Sequence, residues 1–202
     1  RDRLRSRGLG DVYKRQNYRW GYAKLLRNNT VFNREKQEML EMKRGLFIDI
    51  FPCDNVPDKF IAKKIFSLKC FWVRKNSYAP VGAKYESNKI YRLFYKILSH
   101  NSLAYIRKLY DALACQCLDE NTKRVRIVAW SSKRENEGFP RKWMEDRIEY
   151  EFEGHYFWGP QDSDGFLKFI YGNYMKLPPI DQRIPHSPAT YVRLLDGTEI
   201  KQ

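Results

Sequence analysis

The stretch FIDIFPCDNVP, residues 47–57, places two carboxylates, Asp49 and Asp54, in and beside an apolar run. Phe47, Ile48 and Ile50 are strand formers, and Pro52, which has no N–H to give to a ladder, ends the run. The segment reads as a buried strand leading into a turn. Side chains alternate across a strand, so Asp49 points to the opposite face from Ile48 and Ile50. Asp54, followed by Asn55, reads as a turn residue whose carboxylate accepts from nearby N–H groups. An acid on a strand is held more precisely than one on a loop, which makes Asp49 the stronger candidate for chemistry.

The chain has 202 residues, 43% of them hydrophobic and 15% aromatic, enough for one packed core, and we expect one domain. No run approaches the roughly 20 apolar residues of a spanning helix, and no apolar signal-peptide core succeeds the Arg-rich start. Residues 1–16, RDRLRSRGLGDVYKRQ, lack apolar periodicity and differ abruptly in composition from the chain beyond Asn17. The last six of them, DVYKRQ, back-translate to the end of a transposon adapter used in sequencing libraries. We therefore read 1–16 as adapter-derived and non-native, and the natural protein as truncated ahead of Asn17.

That segment holds six basic and two acidic residues, so the rest of the chain keeps +10 of the formal +14. Such a balance favours anionic partners: nucleic acid, a nucleotide-linked substrate or an anionic membrane surface. The four cysteines, Cys53, Cys70, Cys115 and Cys117, form no C-x-x-C pair and have no His at zinc spacing. They read as buried thiols of a reducing compartment, and no disulfide framework is expected.

Along the chain, YRWGYAKLLRNNTVF (18–32) reads as a strand and a polar turn at Asn28-Asn29, and NREKQEMLEMKRG (33–45) as a surface connection or short helix. DKFIAKKIFSLKCFWVRK (58–75) has Phe60, Ile61, Ile65, Leu68 and Trp72 at helical spacing, with Lys59, Lys63, Lys64 and Lys69 on other faces. Two readings suit this helix: packing on a core with solvated lysines, or lying on an anionic membrane. A second helical stretch runs over 89–118 with a break near His100-Asn101-Ser102. RVRIVAW (124–130) reads as a strand, and RIEYEFEGHYFWGP (147–160) as a hairpin turning at Glu153-Gly154. DSDGFLKFIYGNY is helical, with Asp162 or Ser163 as N-cap and Gly172 near its end. YGNYMKLPPIDQRIPHSP (171–188) is a proline-stiffened segment, either the lining of a ligand cleft or a surface strap. Residues 191–202 read as a tail.

Two blocks, GLFIDIFPCDNVPD and FLKFIYGNYMKLPPIDQRIPH, separated by a helical middle and preceded by YAKLLRNNT, resemble the LicD family of phosphocholine transferases over nearly all of 18–186. The resemblance implies an α+β fold, a nucleotidyltransferase-like mixed sheet with a helical middle segment, lacking its N-terminal part, with the transferase domain over 17–190. It implies transfer of phosphocholine or a related phospho-alcohol from a CDP-choline-like donor to a sugar of a surface glycan or lipid-linked acceptor. It also implies a cytoplasmic location at the inner membrane face, with the Lys63 helix as a peripheral contact.

By the same resemblance, Asp49 is the catalytic acid and, with Asp54, a ligand of Mg²⁺ or Mn²⁺, which prefer oxygen donors and substrate phosphates. Lys24 and Arg27 match phosphate-facing positions, and Tyr171, Gly172, Tyr174, Arg183 and His186 match the substrate-binding signature. The family's upstream W-D-D-D-x-D cluster has no counterpart, for no aspartate lies between Asp11 and Asp49. Most metal ligands are thus expected to be missing, and this chain by itself to be inactive. The competing readings are a basic nucleic-acid-binding module and a non-catalytic partner. The first lacks an RNP or GXXG element, so no specific nucleic acid is expected.

Overall fold

The computed structural model describes residues 18–118, 121–130, 138–183 and 188–201. The adapter-like segment 1–16 and His186 lie outside the described residues. The chain is α+β, with several small antiparallel sheets and helices between them. It divides into two compact units, one built from 1–52, 70–113 and 185–202, the other from 53–69 and 114–184.

The first unit contains two sheets. Strands β1 (Ala23–Leu26) and β3 (Phe47–Ile50) pair antiparallel, while β2 (Val31–Arg34) pairs with β9 (Ala189–Arg193), which in turn pairs with β10 (Glu199–Lys201). The segment expected as a tail therefore supplies sheet strands. The turn between β1 and β2 falls at Asn28-Asn29 as read from the sequence, Asn29 taking φ 60°. Residues 35–45 form turns and no helix. Buried Thr30 ties this corner together: its Oγ1 donates to the Arg27 carbonyl at 2.7 Å and accepts from Leu46 N at 2.9 Å.

The strand containing Asp49 corrects the sequence reading. Ile48 and Ile50 are 66% and 52% exposed, and it is Phe47 and Asp49 that face the covered side. Alternation was read correctly, but which side is covered depends on what packs there.

Helix α1 (Phe60–Tyr85) extends well beyond the expected 58–75, and α2 (Lys89–Leu98) and α3 (Leu103–Cys115) flank the predicted break. The expected apolar stripe of α1 is not its buried face. Phe60, Ile61 and Leu68 are all more than two-thirds exposed, whereas Phe66, Cys70, Val73 and Ser77, at spacings of four and three, are buried. Small Cys and Ser side chains permit close packing that a hydropathy pattern underrates. Two of the four cysteines, Cys53 and Cys115, are exposed, correcting the expectation of buried thiols; Cys70 and Cys117 are buried, and none of the four is in a disulfide.

Pro80 lies inside α1 and has no N–H for the carbonyl of Asn76 four residues earlier. The Arg19 guanidinium fills that gap, donating to the Asn76 carbonyl at 3.3 Å and to the Asn101 carbonyl at 3.4 Å. The Asn76 side chain, fully buried, donates to the Trp72 carbonyl at 2.9 Å and accepts from Asn101 Nδ2 at 2.6 Å. Gly82 admits the ring of Tyr95, against which any Cβ would overlap, and Ala79, Tyr95 and Leu98 form the cluster between α1 and α2.

In the second unit, β4 (Asp54–Val56), β5 (Arg124–Arg126) and β6 (Phe139–Pro140) form an antiparallel sheet. The expected strand over 124–130 is therefore confined to its first three residues. Phe139 is wholly buried, contributing roughly 1.5–3 kcal/mol. It packs on Phe166 and Phe169 of α5 (Ser163–Tyr171), and Trp143 of the short α4 (Lys142–Glu145) touches the same two rings. The hairpin β7 (Arg147–Phe152) and β8 (His155–Pro160) turns at Glu153-Gly154 as expected, with φ 51° and 75° at these positions. Asp162 is the N-cap of α5, accepting from Gly165 N at 3.0 Å, and Gly172 is its C-cap. Among the described residues, no helix is long and apolar enough to cross a membrane.

Candidate functional site

The β1–β3 ribbon sets the geometry of the first unit's candidate site. Its register opposes Lys24 to Asp49 and Leu26 to Phe47, so these four side chains share one face. Lys24 Nζ lies 2.5 Å from Asp49 Oδ1 and 3.4 Å from the centre of the Phe47 ring. The lysine is largely covered, its side chain 10% exposed against 23% for the aspartate. Burial pushes the Lys24 ammonium below its ordinary pKa, and the hydrogen bond to Asp49 pulls it back up.

Beside this pair is a cleft of about 20 Å³, room for about one water, lined by Lys24, Arg34, Lys43 and Arg44 among others and, among the described residues, by no acidic one. Phe32 of β2 meets Phe47 edge-on at 5.6 Å and forms part of its wall. Arg44 is partly committed to structure: its Nη2 donates to the Leu40 carbonyl at 3.0 Å and also to the Glu38 carbonyl. The four cations lining the cleft favour an anion there, with Asp49 beside Lys24 and Glu38 near Arg44 offsetting part of their charge. Arg34, Lys43 and Arg44 were not singled out from the sequence. The only signal was the Lys43-Arg44 pair just before Gly45 and, for Arg34, its place at the start of a segment read as a mixed-charge connection.

Of the residues matched by resemblance, the fold brings Lys24 and Asp49 together. Arg27 is exposed beyond the end of β1 and does not line the cleft. Asp54 belongs to the second unit and is not a turn residue: it opens β4 opposite Arg126, and both are buried. Cross-strand partners share a face, so Asp54 places its negative charge on the same side as a fully buried cation. The sequence reading missed this because the two residues are distant along the chain.

Of the C-terminal signature, Tyr171, Gly172, Tyr174 and Arg183 lie in the second unit. Tyr171 is 69% exposed at the end of α5, and Gly172 caps the helix with φ 71°. Tyr174 Oη donates to Asp164 Oδ1 at 3.0 Å, and Lys168 Nζ lies 2.7 Å from Asp164 Oδ2. The carboxylate of Asp164 is held below its usual range by Lys168 first and by Tyr174 second, and the Tyr174 phenol is raised by the same carboxylate. Arg183 Nε donates to the Pro178 carbonyl at 2.9 Å, closing the proline segment on itself. Residues 173–183 are largely exposed, with Met175 and Ile180 more than four-fifths so, and form a surface strap.

Among the described residues no group of three or more His, Cys, Asp or Glu stands close enough to hold a metal ion. At Asp49, the ammonium of Lys24 occupies the side from which a cation would approach Oδ1. Among the described residues, Asp49 is thus paired with a lysine and is not grouped with other carboxylates. Comparison with known protein families, with curated proteins and with solved structures finds no match.

Proposed function

We propose that this chain is part of a LicD-like transferase that moves phosphocholine, or a related phospho-alcohol, from a CDP-linked donor to a hydroxyl of a surface glycan or lipid-linked sugar. The observation that carries this reading is the cationic cleft beside the Lys24–Asp49 pair: Lys24, Asp49 and Phe47 fall in sequence blocks that resemble that family, and Arg34, Lys43 and Arg44 come from the segment between those blocks. In this reading the α+β arrangement is a nucleotidyltransferase-like fold, working at the cytoplasmic face of the inner membrane.

The acceptor oxygen attacks the phosphocholine phosphorus, CMP leaves as the pyrophosphate bond breaks, and the acceptor's proton passes to a base. Arg34 and Lys43 hold donor phosphate oxygens, the arginine as a planar fork and the lysine as a point charge. Asp49 orients Lys24 for the same task. Substrate-binding roles for Tyr171, Gly172, Tyr174, Arg183 and His186 rest in this reading on the sequence resemblance. Mg²⁺ or Mn²⁺ supplies charge neutralisation at the phosphates when bound. Asp49 is committed to Lys24, so further carboxylates are required for that ion, and this chain alone is expected to be inactive.

Titration calorimetry with CDP-choline, without metal, tests the reading. Weak, salt-sensitive binding that is lost in Arg34→Glu is expected; no heat with CDP-choline in the folded chain overturns it.

Nucleic-acid binding is the second reading, favoured by the exposed Tyr156, Phe157 and Trp158 on β8. The cross-strand partners of Tyr156 and Trp158 are Glu151 and Glu149, which put negative charge on the same face and repel a phosphate backbone. Salt-sensitive oligonucleotide binding without CDP-choline binding would reverse this preference.

A further inference from the structure

Helix α2 carries two stripes side by side on its outer surface. Ile90, Leu93 and Ile97, at spacings of three and four, are 79%, 60% and 64% exposed. Lys89, Arg92 and Lys96, each one position earlier, form a second exposed stripe. The helix is anchored from its opposite side by buried Tyr95 and Leu98, and its N-terminus is capped by Asn88, whose side chain accepts from Ile90 N and Tyr91 N. The outward presentation of both stripes is thus fixed by the packing of α2 on α1. Next to them lies an open groove of about 480 Å³, also within the first unit, lined by Lys84, Lys89, Arg92 and Lys96 with Leu93 and, among the described residues, by no acidic one.

We infer that this face of α2 is a docking surface for an anionic lipid bilayer, with the helix lying in the plane of the headgroups. The charge complementarity is explicit: four cations border the groove and, among the described residues, no carboxylate lines it. The aliphatic stripe decides among anionic partners. Isoleucine and leucine give nothing to a phosphodiester backbone and do not stack on bases, whereas they gain by entering the acyl boundary while neighbouring lysine and arginine stems reach back to the phosphates. Ten residues span only about 15 Å, too short to cross, so the helix lies on the surface. The inference is independent of the transferase reading and uses a different helix from the Lys63 contact expected from sequence.

The test is co-sedimentation of the full 202-residue chain with phosphatidylcholine vesicles, with and without a third of the lipid as phosphatidylglycerol. Binding to the anionic vesicles alone is expected, weakening with salt. Arg92→Gln and Lys96→Gln should each lower the partition coefficient about fivefold. Replacing Ile90, Leu93 and Ile97 together by Gln, a good helix former, should lower it tenfold or more while circular dichroism stays unchanged. Should the triple variant misfold, the single Leu93→Trp variant reads the same contact, its added emission shifting to the blue on anionic vesicles. Equal binding to both vesicle types overturns the inference, as does wild-type binding by the folded Gln variants or an unshifted Leu93→Trp spectrum. Oligonucleotide binding, or self-association through α2, in place of vesicle binding also overturns it.

Discussion

Lys24 and Asp49 stand directly opposite each other in the β1–β3 ladder, with Nζ and Oδ1 2.5 Å apart and the aromatic ring of Phe47 under the ammonium. The pair accounts for an acid in an apolar run: the carboxylate faces the covered side because a cation meets it there. Removing the lysine alone leaves a mostly covered carboxylate unpaired. Lys24→Ala should therefore cost about 1–3 kcal/mol in urea unfolding. The double variant with Asp49→Ala should lose less than the sum of the single changes. Strict additivity would show that the pair does not act as a unit.

The Arg19 guanidinium serves a helix it is not part of, by satisfying the carbonyl that Pro80 leaves open. Arg19→Ala should destabilise by about 1–3 kcal/mol through the orphaned, buried Asn76 carbonyl. In a Pro80→Ala background, where an N–H is restored to the helix, the same change should cost measurably less. Equal cost in both backgrounds would place the importance of Arg19 elsewhere.

Gly82 is required by the approach of Tyr95. Because that ring is itself buried, it cannot swing aside, and Gly82→Ala should lower stability by about 1–3 kcal/mol despite the better helix propensity of alanine. A melting temperature at or above that of the parent would contradict this packing.

Asp162 links pH to the second unit. The Trp143 indole N–H at 2.9 Å, and then the Gly165 amide, hold its carboxyl below the ordinary value of 3.8. Since the folded value is depressed, its stabilisation is present in full above the unfolded value and is lost as pH falls through the folded one. Thermal melts followed by tryptophan emission should show stability declining below about pH 4, with Asp162→Asn flattening that part of the profile. An unchanged profile in the Asn variant would remove Asp162 from the acid response.

The legibility of each feature in the sequence depends on how far apart its deciding atoms lie. The turn at Asn28-Asn29, the Glu153-Gly154 hairpin, the helix break near residue 101, the Asp162 cap and the Gly172 stop were all legible, because each is settled by backbone sterics and hydrogen bonds within a few residues. The alternation that sets Asp49 apart from Ile48 and Ile50 was legible for the same reason.

The candidate site was legible only in part. Asp49 stood out as an acid in an apolar run, but nothing near it in the chain indicated Lys24 as its partner or Arg34, Lys43 and Arg44 as its neighbours. The exposed stripe of α1 was misread because periodicity marks an apolar face without saying what covers it. Local chemistry thus determined these turns, caps and the helix break, but not where α1 ends, how far the strand from Arg124 runs or that the expected tail forms strands. Tertiary structure alone decided which face is covered, which cation meets which acid and that residues 189–201 return to pair beside β2, since these depend on pairings across long stretches of chain whose free energy no local pattern contains.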